Sequence, residues 1–425
     1  MSNPNPTLFF AGLGAMGYGM ATHLLRSGFP VIGYDVYQPS MLRLVAEGGA
    51  SANTPREAAR DVDFMLVMVA NHLQASPLLF DPVAGAVAAL KENATIIVCS
   101  TVAPAYINEL ERRLNELRRS DIRLIDAPVS GGAARAATGS LSVFSSGAHD
   151  ALFAPHVQSI LACLSDGRKL YHVPGGLGGG SKAKLIHQIF AGVNIAMASE
   201  AMGLAAAAGL DTKRVFEELR QGEGASWMFG NRVPFMLEPG LGRYSAVTII
   251  AKDVGIVAGT ARAETFPLPM VAVAEQLFLS AIGAGWGAED DCVVVRLYLP
   301  GRPRLVTERA GKASEGSLDP TSTINVDDIT DLMVGVHLAA MSEAMAFCET
   351  LGVDSALMYD IVSNAAGASN VFGKYFGRMR ERGWGLKGLE GVRERLTNAV
   401  AKAGELRYPL YLSSAALQEF NRQLR

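Results

Sequence analysis

The sequence predicts an α/β fold, a doubly wound parallel sheet followed by all-helical domains, and three observations carry that prediction. From Thr7 to Val173 short apolar β-type runs alternate with helical stretches, the pattern of a parallel sheet covered on both faces. A breaker cluster, Pro174 to Gly180, then ends the sheet region. Beyond it, to about Ser280, the chain is Ala-, Met- and Leu-rich, apolar on several helical faces and therefore expected to be buried.

Strands are expected at Thr7–Ala11, Val31–Tyr34, Phe64–Val69, Thr95–Cys99, Arg123–Ile125, Leu141–Ser145 and Leu170–Val173. With 425 residues, 49% hydrophobic and 19% charged, the chain is long enough for two or three domains. A net charge of -3 without a dense basic stripe argues against nucleic-acid binding. The four cysteines (99, 163, 292 and 348) lie far apart with no CxxC pair, which points to a reducing compartment and against a zinc site, so no metal is expected. The start of the chain lacks a basic and then apolar signal, and the later apolar runs are interrupted by charge. The expectation is a cytoplasmic protein that does not span a membrane.

A second pattern lies in the helical part. Ser199-Glu200-Ala201-Met202 and Gly209-Leu210-Asp211 recur as Ser342-Glu343-Ala344-Met345 and Gly352-Val353-Asp354, at an offset of 143 positions. The offset holds to Ser226/Ser369 and Phe229/Phe372 and drops by one at Pro267/Pro409. An ungapped match that includes Gly and Asp punctuation predicts a duplicated helical unit. The expected domains are 1–173 for the sheet, 174–299 for a helical domain, 300–325 for a Gly/Pro/Ser-rich linker, and 326–425 for a second, degenerate helical copy.

Gly12-Leu13-Gly14-Ala15-Met16-Gly17 follows the first apolar run directly and opens a helix from Met16 to Arg26. Gly12 permits the tight turn, Gly14 lets backbone approach a pyrophosphate, and Gly17 allows close helix-to-strand packing, with phosphate charge on the helix N-terminus. Asp35, eighteen residues after Gly17, ends the second run. A carboxylate there accepts ribose hydroxyls and repels a 2′-phosphate, so the Rossmann-type reading is NAD, with NADP less favoured.

These residues, with Ser100-Thr101, Asp126-Ala127-Pro128-Val129-Ser130-Gly131-Gly132, Gly178-x-Gly180-x-x-x-Lys184 and Lys252-Asp253, resemble the β-hydroxyacid dehydrogenases, the 3-hydroxyisobutyrate and 6-phosphogluconate dehydrogenase-like family. The resemblance spans about Leu8 to Tyr298. Leu185-Ile186-His187-Gln188, Ser226-Trp227-Met228-Phe229 and Gly285-Trp286-Gly287-Ala288-Glu289-Asp290-Asp291 are most similar to its L-threonate dehydrogenase branch.

The resemblance implies Lys184 as general acid/base for hydride exchange between the cofactor and a small hydroxy acid. Placement near a positive helix end and beside apolar residues would disfavour the ammonium form. It implies that Ser130 and the N–H groups of Gly131 and Gly132 hold the substrate carboxylate. Thr101, the backbone at Val69-Ala70, and Lys252 would meet the cofactor. His187 and Gln188, three and four residues past Lys184, share its helix face. Many relatives carry two asparagines there, and a histidine is a larger donor suited to a polyhydroxylated acid. The bland alternatives are a solvated helix-start lysine, more so for Lys182, a core histidine satisfied by backbone, and a Lys252–Asp253 surface ion pair.

At the 143 offset Lys184 meets Asp327, His187 meets Thr330 and Gln188 meets Asp331, while Lys252 meets Glu394 at the shifted offset. The tail therefore lacks the proton-transfer set and is expected to pack on the first helical domain as a pseudo-dimer within one chain, a further homo-oligomer being left open. The alternatives to a hydroxy-acid dehydrogenase are a semialdehyde or imine reductase and an NAD-binding scaffold without turnover.

Overall fold

A computed structural model of the chain describes residues 5–312 and 323–424. It divides into two compact units, Met1–Lys184 and Leu185–Arg425. In the first, β1 (Leu8–Ala11), β2 (Val31–Tyr34), β3 (Ala50–Ser51), β4 (Phe64–Val67), β5 (Thr95–Val98), β6 (Arg123–Asp126), β7 (Val129–Ser130), β8 (Leu141–Gly147) and β9 (Ser165–His172) form one sheet. The first six run parallel in the order β3-β2-β1-β4-β5-β6. This is the doubly wound arrangement, with a crevice outside the carboxyl ends of the strands.

Alternation along β1 explains why the sheet is buried on both sides. Leu8 and Phe10 join one apolar cluster with Met20 and Leu24 of the Gly17–Arg26 helix. Phe9 and Ala11 join the other with Ile107 and Leu110 of the Pro104–Glu116 helix. Successive side chains on a strand point to opposite faces, so a strand covered twice must be apolar throughout.

Past β6 the structure departs from an all-parallel expectation. β7 and β8 run antiparallel, with Val129 opposite Val143 and Asp126 of β6 opposite Ser146 of β8. The Gly131-Gly132 turn (φ +144° and +76°) and the short Gly132–Ala137 helix reverse the chain instead of carrying it across a face. Only β9, after the Pro155–Leu164 helix, returns parallel to β8. The short β3 and β7 are additions to the expected strands.

The helical region comprises Gly179–Ala207, Thr212–Leu219, Trp227–Leu237, Val247–Ala263 and Pro269–Gly283, followed by Val326–Thr350, Ser355–Ser363, Asn370–Arg380, Glu390–Glu405 and Tyr411–Gln423. Its local signals occur in pairs. Gly209 and Gly352 take left-handed φ of +80° and +69° at helix ends. Asp211 and Asp354 cap the next helices by accepting the N–H groups of Lys213 at 3.0 Å and Ala356 at 2.9 Å. Ser226 and Ser369 cap the helices after those through Phe229 N and Phe372 N, both at 3.1 Å.

Contacts inside the second unit run between the two stretches. Trp227 N–H donates to Ala368 O at 2.8 Å, and Asn370 N–H donates to Ala225 O at 3.0 Å, so Ser226 and Ser369 pair antiparallel. Glu200 accepts the N–H groups of Leu412 at 2.8 Å and Ser413 at 2.9 Å, at the start of the Tyr411–Gln423 helix. Glu343 accepts those of Met270 at 3.0 Å and Val271 at 3.1 Å, at the start of the Pro269–Gly283 helix. Both carboxylates satisfy helix-start donors that have no partner in their own helix.

The expectation of a linker over 300–325 is corrected in part. Leu305 and Val306 are buried, Thr212 Oγ1 donates to Val306 O at 2.7 Å, and Thr307 Oγ1 donates to Met236 O at 3.0 Å. Two apolar side chains and two hydrogen bonds tie this segment down, while residues 313–322 of the expected linker lie outside the described residues. The Gly179–Ala207 and Val326–Thr350 helices are long and apolar enough to cross a membrane. Their most apolar windows are 100% and 89% buried within the protein, as core helices are.

Candidate active site

The glycine turn after β1 is built as the spacing predicts. Gly12 has φ +94°, and a Cβ there would lie 2.2 Å from Met68 O, so neither the backbone nor the space admits a side chain. At Gly17 a Cβ would lie 1.9 Å from Gly12 O, which is how close the helix comes to the turn. At Gly14 a Cβ would meet nothing within 4 Å. The Gly17–Arg26 helix has no side-chain cap and no acidic residue in its first turn. Open space over Gly14 and uncapped helix-start N–H groups fit a dinucleotide pyrophosphate.

Asp35 sits at the end of β2 and accepts Leu13 N–H at 2.6 Å and Tyr37 N–H at 2.8 Å. It thereby ties the glycine turn to the strand end where a ribose is read, and each oxygen keeps a second lone pair for a hydroxyl. Beyond β4, Val69 N–H donates to the buried Ser100 Oγ at 2.9 Å and Ala70 N–H to Gln74 Oε1 at 3.0 Å. The two N–H groups at this edge are thus taken up by the protein, and Ser100 beside Thr101 is what shapes it.

Asp126, at the end of β6, is completely buried. Its carboxylate accepts Ser181 N–H at 2.7 Å, Ser181 Oγ–H at 2.8 Å and Ser146 Oγ–H at 3.4 Å, while Ser146 Oγ accepts Gly180 N–H at 2.8 Å. Burial pushes its acid up to about 6, against the pull of those hydrogen bonds. This cluster anchors the first turn of the Gly179–Ala207 helix to the sheet. A Cβ on Gly180 would lie 2.1 Å from Phe144 O, so that residue must be glycine. The antiparallel turn of β8 is what brings Ser146 opposite Asp126.

Lys184 is the sixth residue of that helix and 5% exposed, whereas Lys182 is half-buried. The expectation of a lysine near the positive end of its helix is therefore corrected in part. Lys184 lies in the second turn, and helix-start donors are already answered, Ser181 N–H by Asp126 and Gly180 N–H by Ser146 Oγ. Burial, the other half of the argument, is present. Ser130 is buried on β7, directly before the left-handed Gly131 and Gly132. Successive N–H groups in such a turn form a concavity suited to an anion.

In the second unit His187 is 1% exposed, with both ring nitrogens engaged. Nε2 lies 3.2 Å from Gly367 N, and Nδ1 lies 2.9 Å from Gln188 Oε1. Gln188 Nε2 donates to Asp253 Oδ2 at 2.6 Å, and Asp253 Oδ1 lies 2.7 Å from Lys252 Nζ. Two bland expectations thus have a physical counterpart: the histidine meets backbone, and Lys252 pairs with Asp253. The sequence reading gave no role to Ser146, Ser181 and Gly367, quoted Asp126 only within its motif, and read Asp253 only as an ion-pair partner of Lys252. Asp126 carried a further signal, as an acid ending an apolar run.

A doubly wound sheet with an open glycine turn, an acid at the end of β2 and a buried lysine on an anchored helix defines an NAD-binding oxidoreductase. Residues 7–173 match the family model described as the NAD binding domain of 6-phosphogluconate dehydrogenase. Residues 178–298 and 328–425 match that described as NAD-binding of NADP-dependent 3-hydroxyisobutyrate dehydrogenase. The chain belongs to the 3-hydroxyisobutyrate dehydrogenase family, NAD-dependent dehydrogenases acting on CH–OH groups. It is 40% identical to an L-threonate dehydrogenase of Cupriavidus necator over 68% of this chain and 97% of that one. The L-threonate dehydrogenase of Escherichia coli is 38% identical over 68% and 95%. A crystal structure of 3-hydroxyisobutyrate dehydrogenase from Salmonella typhimurium, 37% identical, superposes with a TM-score of 0.63 over 69% of this chain and 100% of that one. A Plasmodium falciparum 6-phosphogluconate dehydrogenase, 15% identical, shares the fold with a TM-score of 0.68 over 98% and 92%, the tail included.

Proposed function

We propose that the protein oxidises a small sugar-derived hydroxy acid of the L-threonate type with NAD in the cytoplasm, using Lys184 as general acid/base. The observation that carries this reading is the burial of Lys184 on a helix fixed to the sheet by Asp126, Ser146 and Ser181. Bound nicotinamide supplies the hydride acceptor. Lys184 takes the hydroxyl proton as the hydride leaves and returns it in reverse. Ser130 and the Gly131-Gly132 turn hold the carboxylate, and Gln188, on the lysine's helix face, meets a hydroxyl. Thr101, Val69, Ala70 and Lys252 border the cofactor. The L-threonate dehydrogenases among the relatives support the substrate class.

The same reading takes residues 326–425 as a second, chemically silent copy that packs on the first as an intrachain pseudo-dimer. The reciprocal Trp227/Ala368 and Asn370/Ala225 bonds and the exchanged Glu200 and Glu343 caps support it. The test is a panel of short hydroxy acids, semialdehydes and imines with NAD and NADP, followed by absorbance of the reduced nicotinamide. Turnover of a polyhydroxylated acid with NAD is expected. Reduction of imines alone, or no turnover, would replace this reading with a reductase or a non-catalytic scaffold.

A further inference from the structure

We infer that the tail orders a substrate group of the first copy, the Gly367 amide locking His187 in one tautomer so that His187 acts as a positioning residue for Gln188. The inference rests on the reading of Gln188 as a substrate group.

Three hydrogen bonds, each with its polarity forced, make the argument. Asp253 accepts only, so the Gln188 group 2.6 Å away must be its NH2, and its Oε1 faces His187. Oε1 also accepts only, so His187 Nδ1, 2.9 Å away, carries a proton. A backbone N–H can only donate, so His187 Nε2, 3.2 Å from Gly367 N, carries none. All three assign the same neutral ring with its proton on Nδ1. His187 therefore has both nitrogens committed, and its hydrogen bonds fix the amide plane of Gln188 four residues after Lys184 on one helix face. The chain ends on Asp253, 2.7 Å from Lys252 Nζ. A rotated imidazole would turn the Gln188 amide and loosen Asp253 in sequence.

The other stretch supplies an internal control. Gly224, 143 positions before Gly367, makes the matching approach to the tail helix. A Cβ on Gly367 would lie 3.2 Å from Phe190 Cβ and 3.5 Å from His187 Cδ2. A Cβ on Gly224 would lie 2.8 Å from Met333 Cβ and 3.5 Å from Thr330 O. The steric approach is shared and the imidazole is not, since Thr330 stands where His187 does. An alanine therefore disturbs packing at both places, but reaches a tautomer lock at one.

Two measurements on the full chain with NAD bound test this. Nitrogen NMR of selectively labelled histidine should show His187 protonated at Nδ1 and bare at Nε2 near neutral pH. Steady-state kinetics of Gly367→Ala should show KM for the hydroxy acid raised about tenfold, with kcat within about twofold and KM for NAD unchanged. Gly224→Ala should leave all three constants unchanged. A proton on Nε2, an unmoved KM in a folded Gly367→Ala, or the same KM change in both variants would overturn the inference. A wild-type chain that turns over no hydroxy acid fails the dehydrogenase reading instead, and the NMR spectrum still decides the tautomer.

Discussion

In the first helical stretch Gln188 donates to Asp253 at 2.6 Å, and in the second Asp331 pairs with Arg395 at 2.8 Å. These are matching positions, at offsets of 143 and 142, joined in both stretches by a side-chain contact of different chemistry. The same holds elsewhere. Aspartate and serine caps, left-handed glycines and glutamates seated on helix starts occur twice, whereas the buried Lys184 faces an exposed Asp327 across the comparison. Packing and side-chain chemistry are thus separable in this fold: main-chain geometry and cap contacts recur in both stretches, whereas the residues at the positions of Lys184, His187 and Gln188 differ.

The largest effect is expected at the most unequal pair, Lys184 and Asp327. Lys184→Ala should lower kcat about 1,000-fold while the far-ultraviolet dichroism and Tm stay near those of wild type. Asp327→Ala, on the exposed face of the tail helix, should leave kcat as it is. Full activity in Lys184→Ala would remove the acid/base assignment and with it the functional contrast between the stretches.

Glu200 and Glu343, which make the same helix-start contact in the two stretches, give the next effect. Glu343→Ala strands two buried helix-start N–H groups and should destabilise the protein by about 2–4 kcal/mol in urea unfolding. Burial pushes the Glu343 acid up to about 8 from an ordinary 4.5, against the two backbone N–H bonds. A raised acid stabilises the fold while protonated, so its contribution is complete below about pH 4.5 and is lost as pH climbs to about 8. Glu343→Gln should therefore match wild type within about 1 kcal/mol below about pH 4.5 and exceed it by a margin that grows through neutrality and levels off above about pH 8. A wild type whose stability does not decline across that window, relative to Glu343→Gln, would show that the glutamate is charged throughout.

How much of this was legible before the structure follows from where the information sits. The glycine turn, Asp35 and most strands are local patterns of a few residues, and each recurs in three dimensions almost where it stands in sequence. The two-residue β3 and β7 are too short to show a period, and the direction of β8 depends on a turn whose reversal only pairing reveals. Asp126 is an acid at the end of an apolar run, but its partners Ser146 and Ser181 lie 20 and 55 positions on, so its anchoring role needs the sheet register. Gly367 acts through its amide across 180 positions. A backbone N–H has no residue type of its own, which leaves the 143-residue repeat as its sole trace in the sequence.

The smallest effect is expected in the tail, at His337. His337 is the 143-offset counterpart of Asn194, whose Nδ2 reaches Gly367 O at 3.5 Å, but His337 is buried and neither of its ring nitrogens has a hydrogen-bond partner among the described residues. Burial lowers its pKa to about 4 from 6.5, so the folded protein resists charging it. The unfolded chain binds the proton first, and stability falls as pH drops from about 6.5 to about 4, by up to about 3 kcal/mol. His337→Leu removes an unsatisfied polar ring from an apolar site and should stabilise the protein by about 1–2 kcal/mol at neutral pH, without changing kcat. It should also flatten the acid limb, a change read from denaturant midpoints of both proteins between pH 4 and 7. A variant that is less stable than wild type and keeps the same acid slope would mean that His337 is hydrogen-bonded in solution, and that the tail core holds a polar contact at this position.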